Sequence, residues 1–171
     1  AIRQSVAHMQ THLRSILSRL RPAALLDLGL AQAVDQQIQL WKKRHPAIAI
    51  GADVRQASFG AKLDEVAFRT IQEALSNAVR HGRPTRVEIS AGIGDDKRLS
   101  VSIVDNGGGI TGDNGSGFGL AGMRERILAQ GGTLTISKGP GGIGTQVLAE
   151  LPAERPPPAR SNAIQEGISH S

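Results

Sequence analysis

Cysteine is absent from the 171 residues, which excludes a disulfide framework and any thiolate chemistry and is compatible with the cytosol. Aromatic residues make up only 2%, so almost nothing is available for nucleic-acid bases to stack on. The formal charge is +5 and the pI about 10.4, a balance that can mark a nucleic-acid binder. Here the basic residues are scattered, and only Lys42-Lys43-Arg44 clusters, so no nucleic-acid partner is expected and part of the charge is free to face phosphates. No apolar run approaches the roughly 20 residues of a membrane span. The first residues form a polar–apolar helix pattern rather than a basic stretch followed by an apolar one, so no signal peptide is expected. The chain starts at Ala1 without a methionine, and a fragment of a longer protein is expected.

What is present is an ordered alternation of helical and strand patterns. Ile2, Val6, Met9, Leu13, Ile16, Leu17 and Leu20 recur at three- and four-residue steps, an amphipathic helix with a coiled-coil-like seam that Pro22 ends. Asp27 stands where an N-cap would open a second helix carrying Leu30, Val34, Ile38 and Trp41 and stopping before Pro46. Ile48, Ile50, Ala52 and Val54 alternate as a strand. Leu63, Val66, Ala67, Thr70, Ile71, Leu75, Ala78 and Val79 have helical spacing. Val87 and Ile89, then Leu99, Val101 and Ile103, read as a hairpin turning at Gly94-Asp-Asp-Lys97. A glycine-rich loop spans 105–119, and a helix from Leu120 to Gln130 ends at Gly131-Gly132. Leu134 and Ile136 make a strand, Gly139-Pro-Gly-Gly142 a turn, and Gln146 to Leu151 the last strand. The fold class expected is α+β, a two-layer sandwich of a mixed sheet with helices on one face, preceded by an N-terminal helix. From Pro152 the chain is rich in Pro, Ser and Ala and reads as a disordered tail.

Three segments can carry chemistry. Glu73 and Asn77 stand four apart on a helix, on one face, among the apolar Ile71, Leu75, Ala78 and Val79. Polar groups near a buried surface cost free energy unless satisfied. Asn77 can offer a carbonyl oxygen to magnesium, and Glu73 can orient a water or accept a proton; an exposed polar face on an ordinary helix is the plainer reading. Asp105 closes a strand and opens Gly107-Gly-Gly109. Its carboxylate can accept a hydrogen bond from an adenine amino group, or the segment is a plain Asp-Asn-Gly turn. Gly117 and Gly119 lead into a helix whose N-terminus suits phosphate, with Arg124 and Arg126 expected in its first turns. Glycine loops before helices are also common without a ligand. Asp113-Asn-Gly-Ser116 reads as a short lid. His81 comes one helical turn after Asn77 and suits either a phosphate or a helix C-terminus. His8 and His12 have no acidic neighbour and read as surface residues.

Taken in chain order, these segments resemble the ATP-binding (GHKL, Bergerat) fold shared by sensor histidine kinases, gyrase, Hsp90 and the mismatch-repair ATPases. Leu20-Arg-Pro22 with Leu26-Asp-Leu-Gly-Leu30, Gln72-Glu-Ala-Leu-Ser-Asn77 with Arg80-His81, Asp105-Asn-Gly-Gly-Gly109 and Gly119-Leu-Ala-Gly-Met-Arg-Glu-Arg126 narrow the resemblance to the NarL/UhpB/DesK-type histidine kinases over roughly 13–151. The resemblance implies ATP and Mg2+ as ligands, with Asn77 on the metal and Glu73 assisting the phosphoacceptor. Asp105 would read adenine, supported by Thr145 through its hydroxyl or a water. Arg80 and His81 would lie on the phosphate side, Gly107, Gly109, Gly117 and Gly119 would shape pocket and lid, and Leu120 would join the nucleotide-binding set. It further implies a homodimer in the full-length protein, a response regulator of LuxR/NarL type as partner, and a cytoplasmic domain of a protein that is often anchored in the bacterial inner membrane.

One departure stands out. The family's phosphoacceptor histidine is followed by an acidic residue, whereas Met9 follows His8 and Leu13 follows His12. Residues 1–22 are therefore expected to be the second helix of the dimerisation hairpin, without the phosphoacceptor helix, followed by the catalytic domain at 23–151 and a tail at 152–171. A non-catalytic nucleotide-binding or regulatory interaction module is the alternative. An ATPase of the mismatch-repair or chaperone kind would need a transducer domain where only the Pro-rich tail follows.

Overall fold

The structure, a computed structural model, describes residues 23–109 and 118–153. The helix expected over 1–22 with its two histidines, the lid with Gly117, and the tail beyond 153 lie outside the described residues. The elements in chain order are α1 (Ala23–Arg44), β1 (Ala49–Val54), α2 (Ala61–Asn77), β2 (Arg86–Ile93), β3 (Arg98–Asp105), α3 (Phe118–Ala129), β4 (Thr133–Lys138) and β5 (Thr145–Pro152). A π-helical turn, Ala78–Gly82, continues α2.

The strands form one mixed sheet in the order β1-β2-β3-β5-β4, parallel at β1–β2 and antiparallel elsewhere. Period-two patterning sends one set of side chains to a single face. Val87, Ile89 and Ala91, then Leu99, Val101 and Ile103, then Val147, Ala149 and Leu151 are all buried. Register aligns them across the sheet, with Ile89 opposite Ile103 and Ile103 opposite Val147. Helices α2 and α3 cover that face, and α1 packs on β1 and α2. The opposite face of β2 and β3, with Glu88, Ser90, Ser100 and Ser102, is exposed or half-buried. The expected α+β architecture is thus present.

Three details differ from the sequence reading. The helix expected to open at Asp27, whose side chain lies outside the described set, is broken at Gly29, with φ 76°. The Ala57 carbonyl caps the second part, accepting the Leu30 N–H at 2.8 Å. A Cβ on Gly29 would approach that carbonyl oxygen to 2.7 Å, so a glycine is required there. Helix α3 begins at Phe118, placing Gly119 inside its first turn rather than before it. Arg126 consequently falls in the last turn of α3, away from the N-terminal end that favours anions. The expected helix stop is present: Gly132 N–H reaches Ile127 O at 3.0 Å and Gly131 has φ 68°, the pattern of a Schellman ending. Among the described residues, no helix is long and apolar enough to cross a membrane.

Candidate functional site

Asp105 is the last residue of β3 and lies in the core row, only 6% exposed. β-Strand alternation carries its side chain to the helix-covered face, since Ile103 and Val101 point the same way. The chain then turns back at once: the Gly107 N–H donates to Asp105 Oδ1 at 2.8 Å. Within the described residues no hydrogen bond reaches Oδ2. A buried carboxylate keeps its charge only where donors compensate it, and here one oxygen remains for a ligand.

Glycines pack around this carboxylate because the backbone passes too close for any side chain. A Cβ on Gly107 would strike the Gly82 carbonyl, and one on Gly144 would strike the Asp105 carbonyl. The Gly108 N–H donates to Gly82 O at 2.7 Å. A Cβ on Gly82 would stand 3.3 Å from Asp105 Oδ1. Gly109 has φ 74° and lies against the Gly144 carbonyl. Three separate stretches, at 82, 107–109 and 144, therefore meet around Asp105. Thr145 follows directly: the β3–β5 register pairs it with Asp105, although no hydrogen bond joins the two side chains.

Glu73 and Asn77 lie on the last two turns of α2 and are half-buried, so the exposed-face reading does not describe them. No described residue is hydrogen-bonded to either side chain. A Cβ on Gly119 would collide with Glu73 Oε1, which brings the start of α3 against this carboxylate. One turn earlier on α2, the Arg69 guanidinium is held below the ordinary arginine range, first by burial and then by repulsion from Arg126, with Glu65 opposing. The interface of α2 and α3 thus holds Glu73 at the end nearest the site and Arg69 one turn farther from it.

Past Asn77 the helix widens into the π turn and closes at Arg83, which adopts φ 47°. Bonding from i to i+5 abolishes the α-helical stacking of His81 over Asn77. Arg80 and His81 are both exposed on this turn. Leu120 is half-buried and packs on the core. The structure thus gathers Asp105, Gly107, Gly109 and Thr145 at one place and Glu73 with Gly119 at a second. The π turn links Asn77 to the first group through Gly82. Sequence reasoning missed Gly82 and the role of Gly144, whose contacts lie far away along the chain, and Asn106, which looked like a turn residue.

The arrangement offers an acceptor at a glycine-walled floor and, among the described residues, an amide and a carboxylate without hydrogen-bond partners. Among the described residues no three His, Cys, Asp or Glu side chains gather into a metal cage. A divalent ion here would draw most of its oxygens from a ligand and from water, as magnesium does at nucleotide sites. The side-chain carbonyl of Asn77 is a fitting single protein ligand of that kind.

Residues 64–155 match the family described as "Histidine kinase-, DNA gyrase B-, and HSP90-like ATPase". The chain is 39% identical over 142 residues to the signal transduction histidine-protein kinase/phosphatase UhpB of Salmonella typhimurium, covering 81% of this chain and 28% of that one. It is 32% identical over 153 residues to the sensor histidine kinase LiaS of Bacillus subtilis, covering 86% and 42%. It therefore spans less than half the length of either relative. In fold it resembles the ATP binding domain of PrrB from Mycobacterium tuberculosis, with a TM-score of 0.58 and 20% identity over 75% of this chain and 96% of that one.

Proposed function

Because this chain belongs to the histidine kinase-, DNA gyrase B- and HSP90-like ATPase family, in the form carried by sensor histidine kinases, we propose that it binds Mg-ATP and donates the γ-phosphoryl group to a histidine outside these residues. Residues 23–151 would be the catalytic domain, 1–22 the second helix of a dimerisation hairpin, and 152–171 a tail. In the whole protein, a homodimer whose kinase site faces the cytoplasm, the phosphoryl group would pass on to a response regulator of LuxR/NarL type. The observation that carries this reading is the buried Asp105 carboxylate, held by Gly107 at one oxygen and, among the described residues, open at the other.

Asp105 would accept the adenine amino group, and guanine, with a carbonyl at that position, would be refused. Thr145 would support it through a water, since the two side chains share no direct bond. Asn77 would give its carbonyl oxygen to magnesium, whose contribution when bound is to neutralise phosphate charge. Glu73 would orient the attacking imidazole or take its proton as the nitrogen–phosphorus bond forms and ADP leaves. Gly107, Gly109, Gly117, Gly119 and Leu120 would shape the pocket, with Arg80 and His81 toward the phosphates. Positioning and charge neutralisation are the protein's main part in such a transfer.

Calorimetric titration with Mg-AMPPNP, Mg-GTP and magnesium-free AMPPNP tests this. Binding selective for adenine and strengthened by magnesium is expected, and Asn77→Ala is expected to abolish the magnesium-dependent part. An Asn77→Ala protein that binds Mg-AMPPNP as the wild type does would remove Asn77 from the metal. No binding of any nucleotide by the wild type would leave an interaction module. Phosphorylation of an added phosphoacceptor hairpin then tests catalysis itself.

A further inference from the structure

Asn106 has no part in the reading above, yet it is the most heavily bonded polar side chain beside Asp105. It is exposed. Its Oδ1 accepts the N–H groups of Thr85 at 3.0 Å and Arg86 at 2.8 Å. Its Nδ2 donates to Thr85 Oγ1 at 2.8 Å, and its backbone N–H donates to Arg86 O at 3.2 Å. The orientation of the amide is forced, because two backbone donors converge where only the oxygen can accept. An exposed asparagine ordinarily bonds water; here every polar atom of the side chain is spent on one short segment.

That segment is the far end of the loop that begins at Gly82. Gly82 grips the glycine turn from the other side, accepting the Gly108 N–H at 2.7 Å and leaving no room for a Cβ on Gly107. The turn 106–108 is thus clamped at both ends by 82–86. Gly107 is the donor that orients the Asp105 carboxylate. The position of the Gly107 N–H, and with it the direction of Oδ2, depends on where the Asn106 backbone is held.

We propose that Asn106 is a positioning residue: its clamp on Thr85 and Arg86 sets the angle at which Asp105 presents its open oxygen to the amino group of adenine. This rests on the nucleotide reading above. The role requires acceptance of two N–H groups, so aspartate should serve. Its carboxylate accepts both, and the Thr85 hydroxyl can turn to donate into it.

The test compares Mg-AMPPNP with the magnesium complex of purine riboside triphosphate, which lacks the amino group, by titration calorimetry. Asn106→Ala is expected to weaken Mg-AMPPNP about tenfold while changing the amino-free nucleotide by no more than about twofold. Asn106→Asp is expected to restore AMPPNP binding to within about threefold of wild type. If Asn106→Ala does not fold, Thr85→Val removes only the Nδ2 acceptor and should give a smaller loss with the same selectivity. Equal losses for both nucleotides, or a variant that separates them as well as the wild type, overturn the role of Asn106 alone. A wild type that does not separate them overturns the reading of Asp105, and the role of Asn106 with it.

Discussion

Among the described residues two aspartates are buried, Asp64 at 3% exposure and Asp105 at 6%, and they are satisfied in opposite ways. Asp64 lies in the first turn of α2. Its Oδ2 accepts the Ser58 hydroxyl at 2.5 Å and its Oδ1 the Phe59 N–H at 2.8 Å. The positive end of the helix dipole adds to this. Among the described residues Asp105 has one donor, the Gly107 N–H. Burying a carboxylate is costly in either place. Asp64 is compensated wholly from within the protein and so belongs to the architecture. Among the described residues Asp105 is compensated at one oxygen only, which fits the proposed role of the other oxygen in binding a ligand. Burial is alike for the two acids; the count of donors at each oxygen, among the described residues, is what differs.

The largest effect expected from this contrast is on stability. Asp64→Ala leaves the buried Phe59 N–H without an acceptor and removes a helix-end interaction, at a cost of about 3 kcal/mol. Urea denaturation would read it as a fall in midpoint at unchanged slope. Nucleotide affinity of the folded fraction should stay at the wild-type value. A stable Asp64→Ala protein, or one that folds and cannot bind, would erase the distinction.

Asp105→Asn should show the reverse. An amide oxygen still accepts the Gly107 N–H, so stability should move by less than about 1 kcal/mol. Binding of Mg-AMPPNP should fall by about 1.5–3 kcal/mol, the worth of a charged hydrogen-bond partner, or about ten- to a hundredfold. Loss of stability and affinity in step would make Asp105 a second structural acid.

The part of this that sequence makes legible is the part governed by local periodicity. Val87, Ile89 and Ala91 alternate because β2 has one covered face, and the spacing from Leu63 to Leu75 marks α2 because a helix repeats every 3.6 residues. Periodicity says which face is buried and not which strand is the neighbour, so the placing of β5 between β3 and β4 was not readable. The π turn is not legible for a related reason. Ala78 and Val79 continue the apolar pattern of α2, while Gly82 at the end of the turn meets Gly107 and Gly108, residues on another loop. The helix break at Gly29, within Leu26-Asp-Leu-Gly-Leu30, depends on the distant Ala57 carbonyl, which no local pattern signals. Asp105 itself was singled out from its place between a strand and a glycine run, but its open oxygen and the clamp through Asn106 depend on contacts between loops.

The smallest effect concerns Thr145, which sharpens the account of Asp105. The register puts the two residues side by side on β5 and β3, yet no hydrogen bond joins their side chains, and Thr145 is half-buried. If a water bridges the hydroxyl to the ligand or to Asp105, its loss should cost about 0.5–1.5 kcal/mol. Thr145→Val is the clean probe, because valine keeps the β-branched shape and strand preference while deleting the hydroxyl. Titration with Mg-AMPPNP should then show a drop of about two- to tenfold, with the urea midpoint nearly unmoved. An unchanged isotherm would mean that Asp105 reads the base unaided. The second oxygen of Asp105 would then carry the selectivity for adenine by itself, and Thr145 would count only as the strand residue beside it.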